Sequence, residues 1–247
     1  MNKIKERRVI ELVDNKIFGR LRLIMLFSLF FIFIMDLVLI FFWVPSMGSS
    51  SGKEAARILY LHVPLAWGGF LAFFFVFIGS ISYLLKRKIS FYQFAFSSAE
   101  IGFFLISLAL ITGMIWGKPV WGKYWIWEPK ITTTLILWFI YLAYIMVKNY
   151  TPDINKGMIF SSLIGILGFF EVPVVYYAVQ IWGGIHWNPV VGPAAEAGSL
   201  TGNMRSTFVF SVIVFTVFTI YLVWFRYSLG NFEKRLLLFK KFFKQKN

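Results

Sequence analysis

Two histidines occur in 247 residues, and four tryptophans crowd between Trp116 and Lys130. His62 lies in Leu59-Tyr60-Leu61-His62-Val63-Pro64, and His186 in Gly183-Gly184-Ile185-His186-Trp187-Asn188-Pro189. A neutral imidazole is a metal ligand, and a helix N-terminus of the kind expected at His62 disfavours the imidazolium. Two histidines cannot complete a structural zinc site without cysteines or added carboxylates, and the chain has no cysteine. They can serve as the two axial ligands of one haem iron, whose other four ligands come from the porphyrin. The competing reading is two ordinary histidines at a membrane boundary.

The stretch Trp-Gly-Lys-Pro-Val-Trp-Gly-Lys-Tyr-Trp-Ile-Trp-Glu-Pro-Lys offers Trp116, Trp121, Trp125, Trp127 and Tyr124 beside three lysines and one glutamate. Tryptophan is large, flat and amphipathic, so it marks membrane–water boundaries, and its ring packs on flat apolar ligands. A porphyrin is flat and apolar, with anionic propionates that basic side chains pair with. Arg57, Lys118, Lys123, Lys130 and Arg205 are the basic residues expected on the same side as this cluster; for each alone, a lipid headgroup is the competing partner. Glu128-Pro129 suits the start of a helix, with the acid at the N-terminus and proline in the first turn. Glu128 is also placed to hold Lys123 or Lys130.

The elements that carry these residues are membrane helices. The composition is 59% hydrophobic, with phenylalanine, leucine and isoleucine in long blocks, unlike a soluble domain. The expected fold is an all-α integral membrane bundle of six transmembrane helices, in a single membrane domain covering 1–247. The spans are placed at about 22–43, 63–85, 95–117, 131–147, 158–179 and 206–226. The first apolar run is longer than a signal-peptide core and is expected to remain as an anchor. Of 25 lysines and arginines, 19 fall in the termini and the loops on their side and six in the other loops. Both termini are therefore expected to be cytoplasmic, with the outer loops 116–130 and 180–205 on the opposite face. Eight of the ten tryptophans then fall at the outer boundary: Trp43, Trp67, the four named above, Trp182 and Trp187. An aromatic belt populates both boundaries, so anchoring accounts poorly for this asymmetry.

Net charge is +14, yet the charge gathers at the ends of apolar segments, where it meets anionic lipid; no nucleic-acid partner is expected. Ile10, Val13, Ile17 and Leu21 recur at helical spacing, as do Phe232, Leu236, Phe239 and Phe243, predicting amphipathic cytoplasmic helices on the inner leaflet. The lack of cysteine excludes a c-type cytochrome, and the spans hold no further histidines of the kind a transmembrane b-type cytochrome uses. Asp36 and Glu171 interrupt apolar segments with no evident partner; Glu171 precedes Pro173, where a backbone break is expected.

With these residues in view, the chain resembles the CcmC family of haem-handling membrane proteins of c-type cytochrome biogenesis. The family's Trp-Gly-x-x-Trp-x-Trp-Asp signature is met by Trp121, Gly122, Trp125 and Trp127, with Glu128 in the aspartate position and Lys130 in the following arginine position. Thr112-Gly113, Trp116-Gly117-Lys118-Pro119, Arg57 to Pro64 and Met204-Arg205-Ser206 are similar to the family too. The resemblance implies haem b as a handled ligand, bound outside the membrane on the tryptophan platform with His62 and His186 as axial ligands. It also implies presentation to the haem chaperone CcmE, in an ABC-type complex with CcmA, CcmB and CcmD. The location implied is the cytoplasmic (inner) membrane, multi-pass, with the haem site on the periplasmic face and no enzymatic step. A polytopic carrier, or a structural transporter subunit with no haem site, is the alternative.

Overall fold

A computed structural model describes residues 16–44, 55–186, 188, 189, 193, 200 and 202–244. Among these the chain is helical, with no strand, and six segments are long and apolar enough to cross a membrane. Helix α1 spans Lys16–Val38 and runs into a π-helical turn, Leu39–Trp43. A 3₁₀ turn, Ala55–Ile58, leads directly into α2, Leu59–Lys86. Then follow α3 (Ile89–Trp121), α4 (Pro129–Tyr150), α5 (Ile154–Phe169), α6 (Glu171–Trp182) and α7 (Gly202–Lys244).

Several helices outrun their hydropathy. Only Arg87 and Lys88 separate α2 from α3, with Arg87 in the left-handed region at φ 53°. Helix α3 continues to Trp121, so that residue sits on a helix rather than in a loop. Gly122 ends it at φ 75°, its N–H donating to the Lys118 carbonyl at 3.0 Å, the usual left-handed glycine stop. The fifth span is two helices. Pro173 lacks an N–H and its ring crowds the carbonyl four residues back, that of Phe169, which is where α5 ends. Proline is tolerated in a first turn, so α6 starts at Glu171.

The expected surface helix at the C-terminal end does not separate from the last span. Helix α7 runs unbroken for 43 residues, about 65 Å at 1.5 Å per residue, twice the roughly 30 Å hydrocarbon thickness. Gly230 alone does not stop it, and Phe232, Leu236 and Phe239 stay exposed along its extension. At the other end Ile17 lies in the first turn of α1, while Ile10 and Val13 fall outside the described residues.

The core lies between α2, α3, α4 and α5. Phe73 stacks on Tyr141 with ring centres 3.4 Å apart, and Val76, Ala99, Ile106 and Leu137 are fully buried around them. Glycine keeps these helices close: a Cβ on Gly102 would fall 2.5 Å from the Phe73 ring, and one on Gly69 2.6 Å from Ile106. Helix α1 lies at the edge, packed mainly on α7. Asp36, fully buried, accepts a hydrogen bond from Ser211 Oγ at 2.7 Å across that contact, and Arg22 lies over the Trp224 ring. Arg226 of α7 pairs with Glu100 of α3 at 3.0 Å. By alternation, the ends of α1, α3 and α6 and the starts of α2, α4 and α7 share one end of the bundle. Both histidines and the tryptophan stretch belong to that end.

Candidate functional site

His62 sits in the first turn of α2, facing α3. Its Nδ1 lies 3.0 Å from the Ala109 carbonyl and 3.2 Å from Thr112 Oγ1, while that hydroxyl donates to the Leu108 and Ala109 carbonyls. A carbonyl only accepts, so Nδ1 is the protonated nitrogen and Nε2 of the neutral ring keeps its lone pair. A hydrogen bond of this type on one ring nitrogen orients the other toward a metal. Gly113 makes the room: a Cβ there would stand 3.0 Å from His62 Cε1. The Thr112-Gly113 pair thus holds and admits the imidazole.

His186 comes from the loop after α6. Gly183 and Gly184, at φ 73° and 140°, turn the chain back, and Gln180 Nε2 donates to Asn188 Oδ1 at 3.2 Å. The His186 ring rests against Trp116 at 5.9 Å and Trp121 at 5.7 Å between centres; the two indoles pack edge to face at 4.9 Å. Trp116 is buried on the last turns of α3. The extension of α3 through Pro119 to Trp121 is what brings both rings to the loop histidine.

These groups surround one cavity of about 700 Å³, within the roughly 300–1,000 Å³ of small-molecule sites. His62 and His186 line it, together with Trp116, Trp121, Tyr124 and Trp125. Below them it continues between α2, α6 and α7 along Ala66, Phe70, Val172 and Val212. The walls are overwhelmingly apolar, and both imidazoles stand among them. Such a space suits a flat, apolar, metal-bearing ligand.

The model of the family CcmC, Heme exporter protein C, matches residues 12–237. The chain belongs to this family. Among curated relatives, the chain is 33% identical over 144 residues to a putative cytochrome c biosynthesis ccmC-like mitochondrial protein of Marchantia polymorpha, covering 58% of this chain and 60% of the relative. It is 31% identical over 163 residues to Heme exporter protein C of Escherichia coli K12 (64% and 63%), and 30% identical over 130 residues to the Bradyrhizobium diazoefficiens protein of that name (53% and 49%). The chain thus spans about half to under two thirds of the length of these relatives.

Within this member of the CcmC family, the other signature residues divide. Trp127 is three-quarters exposed, lies outside the cavity lining, and packs edge-on against Trp125 at 5.4 Å. Glu128 is extended, at φ −113° and ψ 160°, so neighbours 127 and 128 point to opposite sides; the inward place goes to the glutamate. Of the basic candidates, Lys130 alone lines the cavity. Lys118 donates to the Gly122 carbonyl at 3.2 Å and lies over the exposed Tyr124 ring, while Lys123 and Arg205 face outward. Arg57 reaches back to α1, donating to the Ile40 carbonyl at 2.8 Å and to that of Phe41. Trp187 lies outside the described residues. Trp67 also lines the cavity, its indole N–H held by Thr216 Oγ1 at 2.9 Å. The signal for it was the helical run Val63, Ala66, Trp67, Phe70 on one face of α2.

Glu128 caps α4, Oε1 accepting from the Ile131 N–H at 2.9 Å with Pro129 next in line. It makes no direct ion pair with Lys130 or Lys123 among the described residues. Burial raises its carboxyl above the ordinary range, against the pull of the Ile131, Lys130 and His186 N–H groups and the Lys130 charge. The proton is held more tightly in the fold than in the unfolded chain. The linked stability is then fully present below the ordinary glutamate value of 4.5 and is lost as pH rises through the folded value. Thermal stability in detergent should fall across that window, and Glu128→Gln should flatten the slope. An unchanged slope in the glutamine variant assigns the titration to another group.

Proposed function

We propose that this chain binds haem at the tryptophan end of the bundle and hands it on during c-type cytochrome biogenesis. The observation that carries the reading is the convergence of both histidines, separated by 124 positions of sequence, on one apolar cavity with four tryptophans. His62 Nε2 and His186 supply the axial ligands of haem b. Trp116, Trp121, Trp125 and Tyr124 form the platform, and Trp127 stands at its outer rim. Lys130 is the propionate partner. The family membership and the names of its relatives support the same reading.

One ligand is held on a helix by α3, and the other belongs to a loop turned by two glycines. A ligand pair of this kind binds while the loop is seated and releases when it lifts. The chain acts by binding and presentation, with no catalytic step of its own. Its partners are the haem chaperone CcmE and the ABC-type subunits CcmA, CcmB and CcmD. The charge bias puts the termini in the cytoplasm and the cavity on the periplasmic side of the inner membrane. All six spans belong to one membrane domain.

The test is a haemin titration of the purified protein, followed by absorption. A six-coordinate low-spin spectrum at one haem per chain is expected. Binding no stronger than to empty detergent micelles removes the reading in favour of a transporter subunit without a haem site. A finer variant probes the His62 seat. In Gly113→Val the added side chain meets a ring already 3.0 Å from the Cβ position, so the low-spin fraction should fall sharply while the helix content stays. Wild-type spectra in this variant would show that the ring's position on α3 does not matter for ligation.

A further inference from the structure

The first turn of α2 is poorly held by its own helix. Residue Ile58 at its start has helical torsions and offers no side-chain cap. In the next turn, Pro64, four residues after Tyr60, has no N–H to return to the Tyr60 carbonyl. His62, the iron ligand on α2, therefore stands on a turn that lacks one rung of its ladder. Something outside α2 has to fix it.

That support comes from α1. The π-helical turn Leu39–Trp43 ends α1 with carbonyls that no further helical turn can satisfy. Arg57 Nη1 donates to two of them, Ile40 and Phe41, and the guanidinium lies over the Phe41 ring at 5.7 Å. Arg57 belongs to the 3₁₀ turn that runs without interruption into α2, five residues before His62. Ile40 and Tyr60 are buried in one cluster with Phe208 of α7, directly beneath this clamp. A cation at a helix C-terminus is also favoured by the helix dipole.

We propose that Arg57 is a positioning residue: by joining the end of α1 to the start of α2, it fixes the turn that carries His62. It acts on haem through the ligand and not through a propionate. The inference rests on the reading of His62 as an iron ligand.

The experiment titrates the full-length purified protein with haemin and, separately, with haemin dimethyl ester, which has no propionate carboxylates. Wild type, Arg57→Gln, Arg57→Lys and His62→Ala are compared by affinity and by the low-spin band. Arg57→Gln is expected to weaken both ligands equally, by about tenfold, the low end of what losing a group that orients a metal ligand costs. Both spectra should gain a high-spin component. Lysine keeps the charge without the fork, so Arg57→Lys should show a smaller loss, about threefold by the same reasoning, again equal for the two ligands. If the glutamine variant does not fold, the lysine variant carries the comparison. A loss confined to haemin, with the ester unaffected, assigns Arg57 to a propionate and overturns the proposal. No loss with either ligand overturns it too. Should His62→Ala bind both ligands with an unchanged spectrum, the haem-ligand reading itself fails. A weakened His62→Ala beside an unaffected Arg57→Gln removes the Arg57 inference alone.

Discussion

With His62 or His186 changed to alanine, haem bound to the purified protein is expected to lose its six-coordinate low-spin spectrum. Each variant leaves one imidazole and one empty axial position, so the iron becomes five-coordinate or takes water, and the spectrum moves to high spin. Affinity should fall by more than the roughly 10–100-fold that losing a supporting group costs. The two variants should differ in kind. Removing His62 leaves a pocket walled by Ala109, Thr112 and Gly113, into which added imidazole fits; millimolar imidazole should restore the low-spin band. Removing His186 takes away a loop side chain resting on Trp116 and Trp121, and exogenous imidazole gains nothing to hold it there. Recovery should be weaker. Unchanged spectra in both variants would sink the assignment of the ligands.

The parts of this arrangement differed in how plainly they could be read from sequence. Lipid-facing helices need long apolar blocks, so six spans were legible from hydropathy. Proline acts locally, so the break between α5 and α6 was legible from Pro173. The extension of α3 to Trp121 was not, because Pro119 and the lysines around it suggest an end that the helix ignores. The basic residues were the least legible. Lys118, Lys123, Lys130 and Arg205 look alike in a list of charges, and only the turn into α4 brings Lys130 to the cavity. Arg57 binds backbone carbonyls of Ile40 and Phe41, groups every residue possesses, so no side-chain pattern announces the contact. Asp36 had no visible partner because Ser211 lies 175 residues away. Gly113 stood out only as part of a familiar pair; its use, space for an imidazole, needs the neighbouring helix.

A common feature links the two histidines: each is placed by a contact to a different element. The carbonyl of Ala109 on α3 holds His62. His186 sits beside the start of α4: Glu128 caps that helix through Oε1, and its Oε2 faces Gly184 of the histidine's loop, 2.8 Å from where a Cβ would stand. The glutamate in the aspartate position of the tryptophan signature therefore stands where the platform meets the loop that carries His186. Its Oε1 accepts from the Ile131 N–H, and its Oε2 lies against the loop at Gly184.

Gly184→Val tests that coupling, and its effect should approach that of losing His186 itself. Gly184 has φ 140°, a conformation side chains with a Cβ adopt only under strain, about 1–3 kcal/mol. The added Cβ would also stand 2.8 Å from Glu128 Oε2, crowding a side chain whose other oxygen caps α4. The backbone strain shifts the loop, carrying His186 off Trp116 and Trp121. Strain of that size is worth roughly a five- to hundredfold change in an equilibrium constant at 1.4 kcal/mol per decade, so haem affinity should drop within that range and the spectrum turn high-spin. The helices meet in contacts far from this loop, so circular dichroism should be unchanged. Gly184→Ala should fall between valine and wild type, because it shares the backbone strain and lacks the bulk. Wild-type affinity in both variants would mean that haem does not require the loop in the seated position, and that His186 reaches the iron from another conformation.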